Sequence, residues 1–502
     1  MEDGHRGTPE QLRGLVLNGL AWKVTSQLFG QGGRLAVAVV LARLLDPREF
    51  GLAGMVLVFS SLVLVFSDLA LGAALIQRTT LTEEERTTAF WTSVAAGTLF
   101  TAIGVASSGL VAGFYREPEV QPLLIVMSST FLITSLATTH EALLVRDMQF
   151  RAVEIRVMIG LGVGAVAGIA AAVNGLGAWA IIAQQVSTAL VTTVLLIVRS
   201  PWRAKFSFSR RALRDMSGFS GFVLGHRLLY YVHRNADNLL IGRFLGAASL
   251  GVYGLAYNVM LIPFSRIAGP VQQVMFPAFA RLQDQPQRIA ELWVRATRIV
   301  GAISIPALCG LVVVAPDFVP IVFGQKWDAA VPIIQVLAWV GLLQSLQTLN
   351  TEILQALDRT STIFRFSVGF FSAHLLAFVI GLHWGVLGVA VAYAISTTLV
   401  EPIFTWMTAR ALKVSPFILV RALTGVVAAS LVMAAVVFEV RELLVAAGTP
   451  PLLRLVIEIA AGVATYLPLC AWRQPELREE ISSLLRIARG RRIALRPSDS
   501  TA

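Results

Sequence analysis

About fourteen apolar stretches, each near the roughly 20 residues needed to cross a hydrocarbon core, run along this chain. They cover residues 18–42, 51–77, 90–113, 121–145, 153–173, 177–198, 217–241, 250–275, 295–315, 329–356, 362–381, 386–409, 417–437 and 451–471. A backbone in lipid must satisfy its own hydrogen bonds, so apolar runs of this length predict helices. The expected fold is all-α: a polytopic membrane protein with about fourteen transmembrane helices. Composition agrees, since 56% of the residues are hydrophobic and only 14% are charged. The mean hydropathy is +0.72, outside the range of a soluble chain.

Charge gives the expected orientation. With the N-terminus inside, about 29 of the Lys and Arg residues fall in the termini and even-numbered loops, and about 6 in the odd-numbered loops. Both termini are therefore expected in the cytoplasm, and the net charge of +11 reflects topology rather than nucleic-acid binding. The loop between spans 6 and 7 is the strongest signal, with Arg199, Arg203, Lys205, Arg210, Arg211 and Arg214. Span 1 carries Lys23 and Arg34 and no small-residue cleavage pattern follows it, so a cleaved leader is not expected. Cys309 and Cys470 fall inside spans and are expected as buried thiols without a disulfide.

The chain repeats. Residues 41–54 read Leu41-Ala-Arg-Leu-Leu-Asp-Pro-Arg-Glu-Phe-Gly-Leu-Ala-Gly54, and residues 241–254 read Ile241-Gly-Arg-Phe-Leu-Gly-Ala-Ala-Ser-Leu-Gly-Val-Tyr-Gly254. Arg34, Arg43 and Gly51 recur as Arg234, Arg243 and Gly251. Pro122 and Pro332 open their fourth spans, Trp91 and Trp293 their third, and Phe150-Arg151 and Phe364-Arg365 follow the fourth. Spans 1–6 thus match spans 7–12. An even number of spans per repeat makes two parallel six-helix lobes, with spans 13 and 14 outside the repeat. The expected division is 1–198 for the first lobe, 199–216 for a cytoplasmic basic linker and 217–409 for the second lobe. Residues 410–472 hold the two added helices, and 473–502 form a basic cytoplasmic tail. Leu477, Ile481, Leu484 and Ala488 of that tail suit an interfacial helix or a solvated segment equally.

Polar residues inside the spans carry the functional reading. Lys23, Gln27, Gln31 and Arg34 share one face of span 1. Span 7 places His226, Tyr230, His233 and Asp237 on one face, and Arg227, Tyr231, Arg234 and Asn238 on the adjoining stripe. Each charge at mid-membrane costs about 2.5–3.5 kcal/mol on the mild scales. Lys23, Arg34, Arg227, Arg234 and Arg266, against Asp68 and Asp237, therefore need a water-filled cavity. Their excess is positive, so the cavity should attract an anion, and the guanidinium fork suits phosphate. The competing structural reading pairs Arg34 with Asp68 and Arg234 with Asp237. Arg34 lies roughly 10 Å from the outer end of its span, deep for snorkelling.

Asp68 and Asp237 are candidates for proton or sodium coupling or counter-ions of the arginines, and Glu141, Glu352 and Glu401 follow on the same logic. His140 and His374 read as packing residues. Arg43 and Arg243 lie at the outer edge and read as structural. Gly51 and Gly251 suit a tight turn or a close backbone approach. Pro263, Pro270, Pro277 and Pro306 suggest kinks. No metal-ligand cluster, P-loop or nucleophile elbow is visible, so neither an enzyme nor a cofactor is expected, and ATP hydrolysis within this chain cannot drive it.

Four segments carry a resemblance. They are Asp237-Asn-Leu-Leu-Ile-Gly-Arg-Phe-Leu-Gly246 continuing to Leu250-Gly-Val-Tyr253, the run from Ala42 to Gly51, the run from Val274 to Leu282, and Phe323-Gly-Gln-Lys-Trp327. In order and spacing the chain resembles bacterial Wzx-type polysaccharide flippases, most closely the branch of colanic-acid and teichuronic-acid exporters. Those belong to the multidrug/oligosaccharidyl-lipid/polysaccharide flippase superfamily. The resemblance implies two six-helix lobes facing a central cavity that opens to each side in turn. It implies a bacterial inner-membrane protein whose substrate is a polyprenyl-(pyro)phosphate carrying an oligosaccharide repeat unit, moved from the cytoplasmic to the outer leaflet. The implied partners are that glycan, membrane lipids, and polysaccharide polymerase and assembly proteins; no nucleic acid is implied. Arg34, Arg234, Arg227, Lys23 and Arg266 suit contact with the anion, and Gln27, Gln31, Tyr230, Tyr231 and Asn238 suit the polar cavity lining.

Three alternatives compete. A cation-coupled multidrug antiporter of the same superfamily would favour acidic residues in its cavity, whereas this chain's buried excess is basic. A major-facilitator transporter would carry a Gly/Asp/Arg-rich motif between spans 2 and 3, where this chain has Gln77-Arg-Thr-Thr-Leu-Thr-Glu-Glu-Glu-Arg86. An enzyme acting on lipid-linked sugars would carry a large outer loop, and none is present here.

Overall fold

A computed structural model describes residues 30–67, 75–76, 78, 80–216 and 221–474. In chain order the helices are α1 (30–44), α2 (Pro47–Ser67), α3 (Glu83–Tyr115), α4 (Val120–Arg146), α5 (Phe150–Val173), α6 (Trp179–Arg199) and the short α7 (Arg210–Met216). The helical stretch Gly221–Arg281 breaks at Gly246 into α8 (221–245) and α9 (247–281). There follow α10 (Pro286–Val322), α11 (Ala330–Gln347), α12 (Asn350–Ala356), α13 (Thr360–Gly381), α14 (Gly385–Ala411), α15 (Ile418–Ala446) and α16 (Pro451–Arg473). Among the described residues no strand occurs, and ten helical stretches are long and apolar enough to cross a membrane, α11 with α12 and α13 with α14 each counting as one. The expected all-α membrane fold is what the chain adopts.

Local chemistry sets the helix ends. Asp46, Pro47 and Glu49 stand at the start of α2, where the Asp46 amide donates to Glu49 Oε2 at 2.7 Å, half of a capping box. Thr82 and Glu85 complete the full box at α3. The second repeat turns differently: Gly246, the counterpart of Asp46, takes φ 85° and ψ 177°, a conformation that glycine reaches without a Cβ penalty. Among the described residues of Gly221–Arg281, Gly246 is the one with non-helical angles. The helical stretch runs on past Pro263, Pro270 and Pro277 to Arg281. α11 and α12 divide one predicted span at Thr348 and Leu349.

The backbone separates into two compact units, residues 1–254 and 255–502. The first extends past the basic linker because the start of α9 is locked against α2. A Cβ on Gly51 would collide with the carbonyl of Ala247, and one on Gly251 with the carbonyl of Pro47. Ala247 and Pro47 are themselves repeat counterparts, so the two glycines make the same contact in opposite senses. Small residues pack the rest of this unit closely. Gly160, Gly164 and Gly168 of α5 lie on Thr192, Thr188 and Gln184 of α6, the close approach that helices in lipid use. Leu41 of α1 and Leu45 just after it pack with Ala171, Ala172, Ala180 and Ile181.

In the second unit α15 and α16 dock along α10. Ala302 and Ile305 of α10 form one core with Leu423, Val426, Met433 and Val437 of α15 and Tyr466 and Cys470 of α16. The Tyr466 hydroxyl donates to the Ala302 carbonyl at 2.6 Å. Near the other end Asp317, 3% exposed, accepts from Arg441 Nε and Arg454 Nε, each at 2.8 Å. Both cysteines are free thiols, Cys470 buried and Cys309 half-buried.

Candidate functional site

The described side chains of the expected site lie on α1 and α8, both within the first unit, where α8 packs with α2 and the start of α9. Lys23, Gln27 and Asp68 lie outside the described residues, as do the side chains of Arg227, Tyr230 and Arg266. Among those described, two arginines are exposed and two partners of the backbone framework are buried.

Arg34 is exposed on α1. A Cβ on the neighbouring Gly32 or Gly33 would meet open space. Since α1 continues to residue 44, Arg34 sits ten residues before its end, roughly 15 Å along the axis and deeper than the sequence estimate. Gln31 beside it is half-buried. Arg234 on α8 is also exposed. Its charge acts on Asp237, one turn further along the helix.

Asp237 is 5% exposed. Its Oδ2 accepts the Tyr253 hydroxyl at 2.8 Å, and its Oδ1 accepts the Asn238 amide at 2.8 Å. Tyr253 reaches it across the break at Gly246, so the two ends of the motif from Asp237 to Tyr253 close on each other. Tyr231 is buried, and its hydroxyl donates to the Val58 carbonyl of α2. Asn235 Nδ2 donates to the Tyr231 carbonyl at 2.9 Å, and Asn238 is half-buried. Buried hydroxyls and carboxylates satisfied this way fix helix orientation, because leaving any of them unpaired costs about 1–3 kcal/mol. The result is a stiff α2–α8–α9 frame that presents Arg234.

The turn that starts α2 is held by charge as well. Arg48 pairs with Glu117 at 2.8 Å and Glu119 at 2.9 Å. Its hydrogen bond to Glu119, with the charge of Glu117, pushes the Arg48 pKa above its already high ordinary value. Arg243 is half-buried with its guanidinium over the Phe114 ring, 5.6 Å from the centroid, in keeping with a structural role. Glu141 pairs with Arg156 at 2.7 Å.

A second polar group was not assembled from the sequence. In the second unit Gln344 donates to the Tyr393 hydroxyl at 2.8 Å, and Gln347 to Thr405 at 2.6 Å. His374 Nε2 lies 3.2 Å from Thr397 Oγ1, and its Nδ1 lies 2.8 Å from the Phe370 carbonyl. Glu401, one turn beyond Thr397, is buried. The spacing of Gln344, Gln347 and Asn350 along one helical face was the available signal. Among the described residues no group of three or more His, Cys, Asp or Glu could hold a metal ion.

A guanidinium at the surface offers a planar fork of N–H donors that matches the oxygens of a phosphate or carboxylate.

The comparisons with known proteins agree in kind. A family model described as polysaccharide biosynthesis protein matches residues 40–332. The chain is 31% identical to teichuronic acid biosynthesis protein TuaB of Bacillus subtilis over 84% of its own length and 88% of the relative's. It is 30% identical to lipopolysaccharide biosynthesis protein WzxC of Escherichia coli, over 76% and 78% of the two chains. Among solved structures it is similar to the lipid II flippase MurJ in an inward closed conformation. The TM-score is 0.72 at 13% identity, covering 92% of this chain and 99% of that one. An inward-facing multidrug resistance MATE family transporter of the MOP superfamily gives 0.61 at 16%, covering 76% and 94%. The two structures speak for the fold alone.

Proposed function

The chain belongs to the polysaccharide biosynthesis protein family, and from that premise we propose that it is a flippase for lipid-linked glycans. Its substrate is a polyprenyl-(pyro)phosphate bearing an oligosaccharide repeat unit, carried from the cytoplasmic to the outer leaflet by alternating access. The phosphate meets Arg34 and Arg234, helped by Arg227, Lys23 and Arg266. The sugars contact Gln27, Gln31, Tyr230 and Asn238. The prenyl tail stays in lipid. Asp68 and Asp237 are the candidates for ion coupling, Asp237 with Tyr253 as its hydrogen-bond donor. The chain acts as a transporter rather than an enzyme, in the bacterial inner membrane with both termini cytoplasmic.

The observation that carries this reading is the pair of exposed arginines at repeat-equivalent positions, 34 and 234, in a chain whose relatives are a teichuronic acid and a lipopolysaccharide biosynthesis protein. A cavity for cationic drugs would want the opposite charge. The test is reconstitution in liposomes with a polyprenyl-pyrophosphate oligosaccharide, following headgroup accessibility to an outside probe. Flipping supports the proposal. Uptake of a soluble organic cation without any glycolipid flipping moves the protein to the drug-antiporter reading.

A further inference from the structure

The basic linker between α6 and α8 is not a free tether. Trp202 is buried, its Nε1 donating to Glu83 Oε1 at 2.9 Å and its ring packing on Phe90 and His140. The Ser209 amide donates to Thr88 Oγ1 at 3.0 Å, and Trp91 Nε1 donates to the Lys205 carbonyl at 2.8 Å. Arg203 folds back onto the carbonyls of Ser200 and Trp202. Three hydrogen bonds thus fix the segment against the start of α3.

What the fixed segment shows outward is unusual for a polar connection. Phe206 is 94% exposed and stacks on Trp91 with centroids 5.1 Å apart, and Phe208 is 53% exposed. Lys205, Arg210 and Arg211 are exposed around them. A solvated tether has no use for two bare phenylalanines held in place, whereas the edge of a bilayer does. There aromatic rings sit at the headgroup level and basic residues meet anionic lipid. The segment begins where α6, a candidate membrane span, ends at Arg199, which puts it at that edge.

We propose that the docked linker is a binding surface for anionic phospholipid. Lys205, Arg210 and Arg211 hold the headgroup charge, and Phe206 and Phe208 seat among the upper acyl carbons. The surface stands apart from substrate transport and does not require the flippase reading.

The test uses the purified full-length chain in mixed micelles with spin-labelled phosphatidylglycerol and phosphatidylcholine, measuring their relative association by electron paramagnetic resonance. Wild type should prefer phosphatidylglycerol, and added salt should weaken that preference. Lys205→Gln/Arg210→Gln/Arg211→Gln should cut it by at least roughly tenfold. A control with the same charge change in the tail, Arg486→Gln/Arg489→Gln/Arg491→Gln, should cut it far less. Phe206→Ser, with every cation kept, should also lower it. Thermal unfolding in phosphatidylcholine checks that each variant is folded. No preference in wild type, an unchanged preference in the linker variant, or an equal loss in the tail variant overturns the proposal.

Discussion

The Tyr253 hydroxyl donates to the Asp237 carboxylate at 2.8 Å, across the helix break at Gly246. Tyr253→Phe removes this donor and leaves a buried carboxylate short of a partner, at a cost of about 1–3 kcal/mol. Asp237→Asn keeps the shape but weakens a charge-assisted bond. The double variant should therefore lose less than the two single losses combined, because both act on one interaction. Unfolding in detergent, arranged as a double-mutant cycle, checks it. Full additivity would mean that the two groups do not couple.

Gly51 and Gly251 should each resist even alanine. Their missing Cβ atoms would fall on the carbonyls of Ala247 and Pro47, which are backbone and cannot swing aside. We expect Gly51→Ala and Gly251→Ala each to cost about 1–3 kcal/mol or more, as overpacking does. Gly162→Ala on α5, where a Cβ meets open space, should be neutral or stabilising by up to about 1 kcal/mol. Thermal unfolding of the three variants side by side separates close approach from ordinary helix propensity.

Arg454 should govern the docking of α16. It joins Arg441 on the buried Asp317, with Glu458 buried beside them. Arg454→Ala leaves two buried carboxylates facing one arginine, a loss of the size seen on breaking buried pairs, about 3–5 kcal/mol. The expected result is faster proteolysis in the 447–450 turn while the first unit stays protected. Arg421→Ala, on the exposed face of α15, should leave the cleavage pattern unchanged.

The helices were legible because lipid forces apolar runs of fixed length, and the described helices follow the predicted spans. The helix ends show the limit: α10 begins at Pro286, nine residues before its predicted span, because Arg288 and Glu291 interrupt the apolar run there, and α15 runs to Ala446, nine residues past its own, through Glu439, Arg441 and Glu442. A hydropathy reading omits such polar turns, since it follows only the apolar run. Charges at Arg34 and Arg234 were legible because charge inside a span is costly. Tyr253 was not, since a tyrosine in a membrane helix reads as an ordinary aromatic until the turn at Gly246 brings it to Asp237. The cluster of Asp317, Arg441 and Arg454 was hidden for the same reason. Its members lie on three helices, and nothing local marks the pairing. The stripe of Gly160, Gly164 and Gly168 is readable at its four-residue spacing as a face for close helix approach.

The central claim is that Arg34 and Arg234 hold the phosphate of a lipid-linked glycan. The direct measurement is flipping of a polyprenyl-pyrophosphate oligosaccharide in proteoliposomes by wild type, Arg34→Ala and Arg234→Ala, with insertion and unfolding matched. The account predicts transport by wild type and a loss of at least about tenfold in each variant, the size of one charge-assisted contact. Wild-type rates in both variants would contradict it and leave the two arginines as structural charges.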